Sequence, residues 1–162
     1  SSCSTALLQG HQLPESGLYT IVVRDDGANE TGNYNLSLLL IPGATTSPQD
    51  PDGGIITFGE TKAGIIGLQA DTAAYTFTGQ AGQPVILQMS RASGALNPRI
   101  ELFAPNSGGT AEAVAGSGDC SSCSTALLQG HQLAVSGQYT IVVRDDGANE
   151  TGDYNLSLTV LP

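Results

Sequence analysis

The sequence is poor in charge, and what charge it has is mostly of one sign. Charged residues make up 12% of its 162 residues, about half the usual fraction. Five basic residues against 15 acidic ones give a net charge of −10, which opposes binding to nucleic-acid phosphates or anionic lipid surfaces. No apolar run reaches the roughly 18 residues that a membrane-spanning helix needs. We therefore expect no nucleic-acid partner and no membrane insertion.

Catalytic signatures are missing as well. His11 and His131 occupy equivalent positions in two similar segments, but no serine or aspartate motif for nucleophilic catalysis accompanies them. No paired acid and base and no complete metal-ligand set emerges from the spacing of the polar residues. We expect a protein that is not an enzyme and that needs no cofactor.

Glycine, turn residues and alternating apolar positions indicate short strands. The chain has 21 glycines but no tryptophan, and apolar residues recur at every second position, the period of a half-buried strand. The pattern predicts an all-β protein, an antiparallel sandwich or jelly roll of about eight strands. The candidate strands are 55–58, 63–66, 73–78, 84–90, 99–104, 111–115, 124–133, 139–144 and 154–160.

The chain contains a near-exact internal duplication. Residues 1–42 recur as residues 121–162, with an offset of 120 residues and seven differences over 42 positions. We call these segments the first copy and the second copy. Residues 43–120 have no second version, so the duplication predicts a tandem repeat with a period of about 120 residues, of which this chain is a window.

Three regions follow from this organisation. Residues 1–42 are predicted to be the last three strands of a preceding repeat, a partial domain that cannot be stable alone. Residues 43–53, rich in proline, glycine, serine and threonine, are predicted to be a linker. Residues 54–162 are predicted to be one complete sandwich.

Five segments together resemble the pre-peptidase C-terminal (PPC) domain, a bacterial β-sandwich module. The resemblance covers most of residues 54–162, in the family's order and spacing. It implies an extracellular or cell-surface bacterial accessory module, whose ligand the fold alone does not specify. The matching segments are DTAAYTF (71–77), AGQPV (81–85), NPRIELFAPN (97–106), GQYTIVV (137–143) and GDYNLSL (152–158).

Cys120 and Cys123 are separated by two residues, and we predict a short-loop disulfide between them. Free thiols, half of a zinc site and a redox pair remain alternatives, although zinc requires further ligands. In the first copy the chain starts one residue too late to include the counterpart of Cys120, which leaves Cys3 alone. Such a short loop gains little chain entropy, so the bond would mainly fix a local turn.

Acidic clusters leave a calcium site open as an alternative. Asp145, Asp146, Asn149 and Glu150 place several oxygen ligands in one loop, and Asp50 and Asp52 form a pair in the linker. Oxygen ligands suit calcium, but the spacing is not that of an EF-hand. The favoured interpretation is an acidic turn stabilised by Asx-type hydrogen bonds, so no cofactor is predicted.

Differences between the copies suggest a contact between repeats. Leu18 replaces Gln138 and Leu39 replaces Thr159, so the first copy is more apolar on the face that points away from its own core. Leu39 and Ile41 also lie next to the linker. We predict that Leu18, Leu39 and Ile41 contact the next unit or a lateral neighbour.

These features predict a structural repeat unit of an extracellular bacterial filament, stalk or surface array, assembled head to tail. Its partners would be identical units, joined either in one covalent chain or by strand complementation between subunits. The alternative is an adhesin or accessory module of a secreted enzyme that binds extracellular matrix protein or polysaccharide. Such surfaces usually present aromatic rings, whereas nearly all aromatic residues here are predicted to face inward.

Overall fold

The described part of the chain folds into nine strands in two sheets. The computed structural model describes residues 5–41, 43, 50–116 and 123–161, and within them no helix is long and apolar enough to cross a membrane. The strands are β1 Gly53–Ile55, β2 Thr61–Ile66, β3 Thr72–Gly79, β4 Pro84–Arg91, β5 Pro98–Phe103, β6 Ala113–Gly116, β7 Thr125–Gln132, β8 Gly137–Asp145 and β9 Gly152–Val160.

The sheets pack face to face as a sandwich, which confirms the predicted all-β class. One sheet has the order β1-β3-β8-β5-β6 and the other β2-β9-β4-β7. The nine strands of the described residues agree with the nine candidate strands of the sequence, and one detail corrects the prediction: β1 pairs with β3 in parallel rather than antiparallel. The described residues form a single sandwich, so the structure itself contains no second repeat.

Alternating apolar residues from both sheets fill the core, as the sequence pattern predicts. From β8 the inward residues are Tyr139, Ile141 and Val143, each fully buried. Only the last predicted inward position of β9, Val160, is 36% exposed, because it lies at the end of the strand. The other predicted inward residues that are buried are Tyr75, Phe77, Val85, Leu87, Met89, Tyr154, Leu156 and Leu158.

The middle of the five-stranded sheet is buried on its outer face too. Thr140 and Val142 of β8 point away from the core, yet they are 0% and 3% exposed. The linker and the first copy both touch this face: the backbone N–H of Gly43 in the linker donates to the Thr140 hydroxyl at 3.1 Å, and Gln9 of the first copy donates to Glu101 at 2.9 Å. The middle of the outer face is therefore covered by other parts of the chain.

Candidate assembly site

The second copy is inserted into the rest of the sandwich strand by strand. β8 pairs with β3 on one side and β5 on the other, while β9 pairs with β2 and β4. β7 pairs with β4. None of the three strands has another as its neighbour in a sheet. We call β1 to β6, residues 53–116, the acceptor, because they provide all the strand partners of β7, β8 and β9.

The first copy has almost the same sequence and none of this pairing. Residues 5–41 contain no strand. The strand neighbours of the second copy all lie in the acceptor, so within the sandwich this segment does not pair with itself. The acceptor of this structure is filled by the second copy, and the described residues of the first copy pair with none of its strands.

Core-forming side chains of the first copy are left in solvent. Leu158 is fully buried, whereas its counterpart Leu38 is 75% exposed. The same contrast holds for the other five inward positions of β8 and β9, which are at most 1% exposed in the second copy and at least 44% exposed in the first. Those counterparts in the first copy are Tyr19, Ile21, Val23, Tyr34 and Leu36.

Two local turns nevertheless keep the same hydrogen bonds in both copies. The Tyr19 hydroxyl donates to the Glu15 carbonyl at 2.7 Å, just as the Tyr139 hydroxyl donates to the Val135 carbonyl at 2.9 Å. Both bonds span four residues, so they need no tertiary partner. The first copy thus keeps the turn that precedes β8 in the second copy, although it lacks the strands that flank β8.

The acidic loop that follows β8 is the second turn that the two copies share. Asp145 accepts hydrogen bonds from the backbone N–H groups of Asn149 and Glu150 at 2.9 and 3.2 Å. Asp25 accepts the equivalent bonds in the first copy at 2.9 and 3.3 Å. Each loop therefore turns on an aspartate side chain that bonds its own backbone.

The calcium candidates are engaged in these and other protein contacts. The second carboxylate oxygen of Asp145 accepts from the Asn97 N–H at 2.8 Å, and Glu150 accepts from the Asn97 side chain at 2.6 Å. Asp146 pairs with Arg99 at 2.7 Å. Among the described residues, no group of three or more histidine, cysteine, aspartate or glutamate side chains could hold a metal ion.

The linker pair lies elsewhere. Asp52 accepts a hydrogen bond from the backbone N–H of Ile65 in β2, and the N–H of Asp52 itself donates to Asp50 at 3.3 Å. The structure does not bring Asp50 and Asp52 together with the acidic loop of residues 145–150 in a common metal cluster.

Cys123 is disulfide-bonded. Its predicted partner Cys120 lies outside the described residues, as does Cys3, so the pairing of Cys120 with Cys123 stays a prediction.

The three residues expected at a contact between units differ in exposure. Leu18 is 99% exposed, whereas Leu39 and Ile41 are half-buried. Their counterparts in the second copy, Gln138, Thr159 and Leu161, are all exposed. The predicted contact with a neighbouring unit stays a prediction.

A charge cluster on the outer face of the five-stranded sheet was not predicted from the sequence. Glu101, 3% exposed, accepts from Arg99 at 2.8 Å and from Arg144 at 2.9 Å. Arg99 also reaches Asp146. The cluster links acceptor strand β5 to β8 of the second copy. The available signal was the alternation of Arg99 and Glu101 on one face of a strand, but the sequence does not reveal that Arg144 lies beside them.

Burial alone would raise the pKa of Glu101, but hydrogen bonds and charge from Arg99 and Arg144 outweigh it and hold the pKa below its ordinary value of 4.5. A carboxylate with a lowered pKa stabilises the fold above its unfolded-state pKa, and the contribution is lost as pH falls through the folded-state pKa. Acid should therefore weaken this cluster.

Glu101→Gln is expected to lower the free energy of unfolding by about 2 kcal/mol at pH 7, because it leaves two partly buried arginines with fewer acceptors. The difference from wild type should shrink as pH falls below 4.5. Urea denaturation at pH 7 and pH 3 measures both. Glu60→Gln is the control, since the side chains of the Glu60–Lys62 pair are 33% and 34% exposed, much more than the 4% of Glu101, and ion pairs that are open to solvent contribute little. Equal effects of the two variants at pH 7 would contradict a stabilising role for the cluster.

Comparison with known proteins identifies the fold. Protein-family models and curated protein sequences give no match. Among solved structures, the pre-peptidase C-terminal domain of a collagenase from Bacillus anthracis is similar, at 16% identity and a TM-score of 0.53, over 67% of this chain and 95% of that one. PliG from Aeromonas hydrophila, a periplasmic inhibitor of g-type lysozyme, is similar at 22% identity and a TM-score of 0.52, over 68% of this chain and 96% of that one. The chain therefore contains a β-sandwich similar in fold to a PPC domain and to PliG.

Proposed function

We propose that this chain is a structural unit of an extracellular bacterial array, in which sandwiches follow head to tail and the first copy completes a neighbouring sandwich. The observation that carries the proposal is the pair of copies. One copy supplies three strands to the acceptor, two of them inserted between acceptor strands, and the other copy has the same core residues exposed and outside any strand. The core residues of the first copy would be buried only if an acceptor like β1 to β6 were available to pair with that copy.

The geometry of insertion favours propagation. A unit that contributes strands through one segment and receives them in another makes a heterologous contact, which extends into filaments or closes into rings instead of stopping at a two-fold dimer. Two arrangements fit this principle. The first copy can belong to the preceding unit of one long covalent chain, or separate subunits can exchange strands as in donor-strand complementation.

The similar folds support the remaining parts of the proposal. One is a domain of a collagenase and another is a periplasmic inhibitor, so we propose membership of the PPC family, a location outside the cytoplasm and a non-enzymatic role. Scarce charge and a single lysine suit a chain selected for length and for resistance to proteases that cleave after basic residues.

Mass measurements on the native material test the proposal. We expect a native mass many times the 16.5 kDa of this chain. After reduction and full denaturation, a mass that remains large identifies a covalent array, and one near 16.5 kDa identifies exchanged subunits. A mass near 16.5 kDa both before and after denaturation would refute the array. Saturable binding of that single unit to collagen, chitin or cellulose would then favour the accessory-module alternative.

A further inference from the structure

We propose that the two copies are interchangeable, so that the first copy can occupy the acceptor of residues 53–116 in place of the second. The inference deepens the proposed function and rests on it for the role of the first copy as a strand donor. It adds that one chain carries two donors for one acceptor. Filling by the first copy would release the second copy to a neighbour.

All seven differences between the copies avoid the core. In the seated second copy the differing residues are exposed or half-buried, and none is buried. Every buried position from residue 123 to residue 161 therefore has an identical residue in the first copy. The differing residues of the second copy are Ala134, Val135, Gln138, Asp153, Thr159, Val160 and Leu161.

Two of the differences give the second copy a modest advantage. The backbone N–H of Ala134 donates to Glu112 at 3.2 Å, and Pro14 has no N–H to replace it. Asp153 accepts from the Ser93 hydroxyl at 2.6 Å, whereas the equivalent Asn33 offers a neutral oxygen. These losses are small beside the burial of six core side chains, so they bias the choice of donor without preventing exchange.

The linker is long enough for exchange within one chain. Gly59 donates to the Leu158 carbonyl at 2.8 Å, and Gly53 is six residues from Gly59, at most about 22 Å along the chain. If the first copy were seated, Leu38 would take the place of Leu158. The 15 residues from Leu38 to Gly53 span up to about 50 Å, roughly twice the distance needed, which leaves room for a path around the sandwich.

Hydrogen exchange read by mass spectrometry on the full chain tests the exchange. In the wild-type chain we expect protected amides in residues 137–160 and fast exchange in residues 17–40. Leu156→Arg places a charge at a fully buried position of the second copy. We expect protection to move to residues 17–40 in this variant while the acceptor strands stay protected. Peptides that include Leu18 or Gln138 differ in mass between the two copies, so their signals are separable.

Leu36→Arg, the matched control in the first copy, should leave the wild-type pattern unchanged. The double variant of Leu36 and Leu156 should lose protection in both copies and in the acceptor. Val143→Asp, paired with Val23→Asp, repeats the test on the central strand.

The inference would be overturned if the acceptor lost its protection throughout in the single variants Leu156→Arg and Val143→Asp, to the same extent as in the double variants. That result together with a large native mass would leave the array standing and refute only the interchange. A native mass of a single unit, together with protection that moves to the first copy in Leu156→Arg, would refute the array and support the interchange.

Discussion

Leu102→Ala is expected to lower the free energy of unfolding by about 3 kcal/mol. Leu102 lies on the inner face of β5, opposite Ile141 of β8, and is fully buried. Truncation removes buried methyl and methylene groups and leaves a cavity that the surrounding sheets fill only partly, which typically costs about 2 to 5 kcal/mol. Because Leu102 belongs to the acceptor, replacing one donor copy by the other cannot relieve the loss.

Leu68→Ala is the matched control, the same substitution at a leucine that is 58% exposed. Its effect should stay within about 0.5 kcal/mol. Urea denaturation of both variants, followed by circular dichroism, gives the two free energies of unfolding when one m-value is used for both variants. Similar losses for Leu102→Ala and Leu68→Ala would mean that the space between the two sheets is not the core of the folded protein.

The positions of the strands could be predicted because strands half-buried in a sandwich follow a period of two. All nine strands overlap a stretch of alternating residues in the sequence, and the inward residues of β8, such as Tyr139 and Ile141, are those that the pattern places inward. The weakest agreement is at β1, Gly53–Ile55, where the predicted stretch of 55–58 shares only Ile55. A three-residue strand is too short to display a period.

Burial of the outer sheet face could not be predicted in this way. Alternation assigns Thr140 and Val142 to solvent, yet both are buried, because the linker contacts this face through Gly43 and the first copy contacts it through Gln9. Covering by a distant segment leaves no periodic signal in the strand that is covered. The order of strands in each sheet is non-local for the same reason.

The candidate site was visible in the sequence as a duplication, but its geometry was not. Near-identity of residues 1–42 and 121–162 predicts that both perform one structural role. It does not reveal that β8 lies between β3 and β5 while β9 lies between β2 and β4. In the second copy, β8 and β9 each have an acceptor strand on both sides. The first copy lacks these neighbours and forms no strand, whereas its two turns persist because their hydrogen bonds are short-range.

The second large expected effect on stability comes from adding a side chain to β2 where it pairs with β9. Gly64 in β2 lies opposite Tyr154 of β9, and a Cβ atom at Gly64 would come within 2.3 Å of the Tyr154 hydroxyl oxygen and 2.4 Å of the adjacent ring carbon. That hydroxyl forms a 2.9 Å hydrogen bond with the Tyr75 hydroxyl across the core. Burial raises the pKa of both tyrosines, so the pair stays neutral and serves as a hydrogen bond between the sheets.

Gly64→Ala is expected to lower the free energy of unfolding by about 3 kcal/mol, since the displaced ring costs packing energy and two buried hydroxyls lose their partner. Gly67→Ala, where the nearest atom to a new Cβ is 3.9 Å away, should be close to neutral. Thermal and urea unfolding would measure both, and equal effects would contradict the close contact. Because Tyr34 in the first copy is the equivalent of Tyr154, the substitution penalises both donors alike, so the first copy cannot rescue this variant as it is expected to rescue Leu156→Arg.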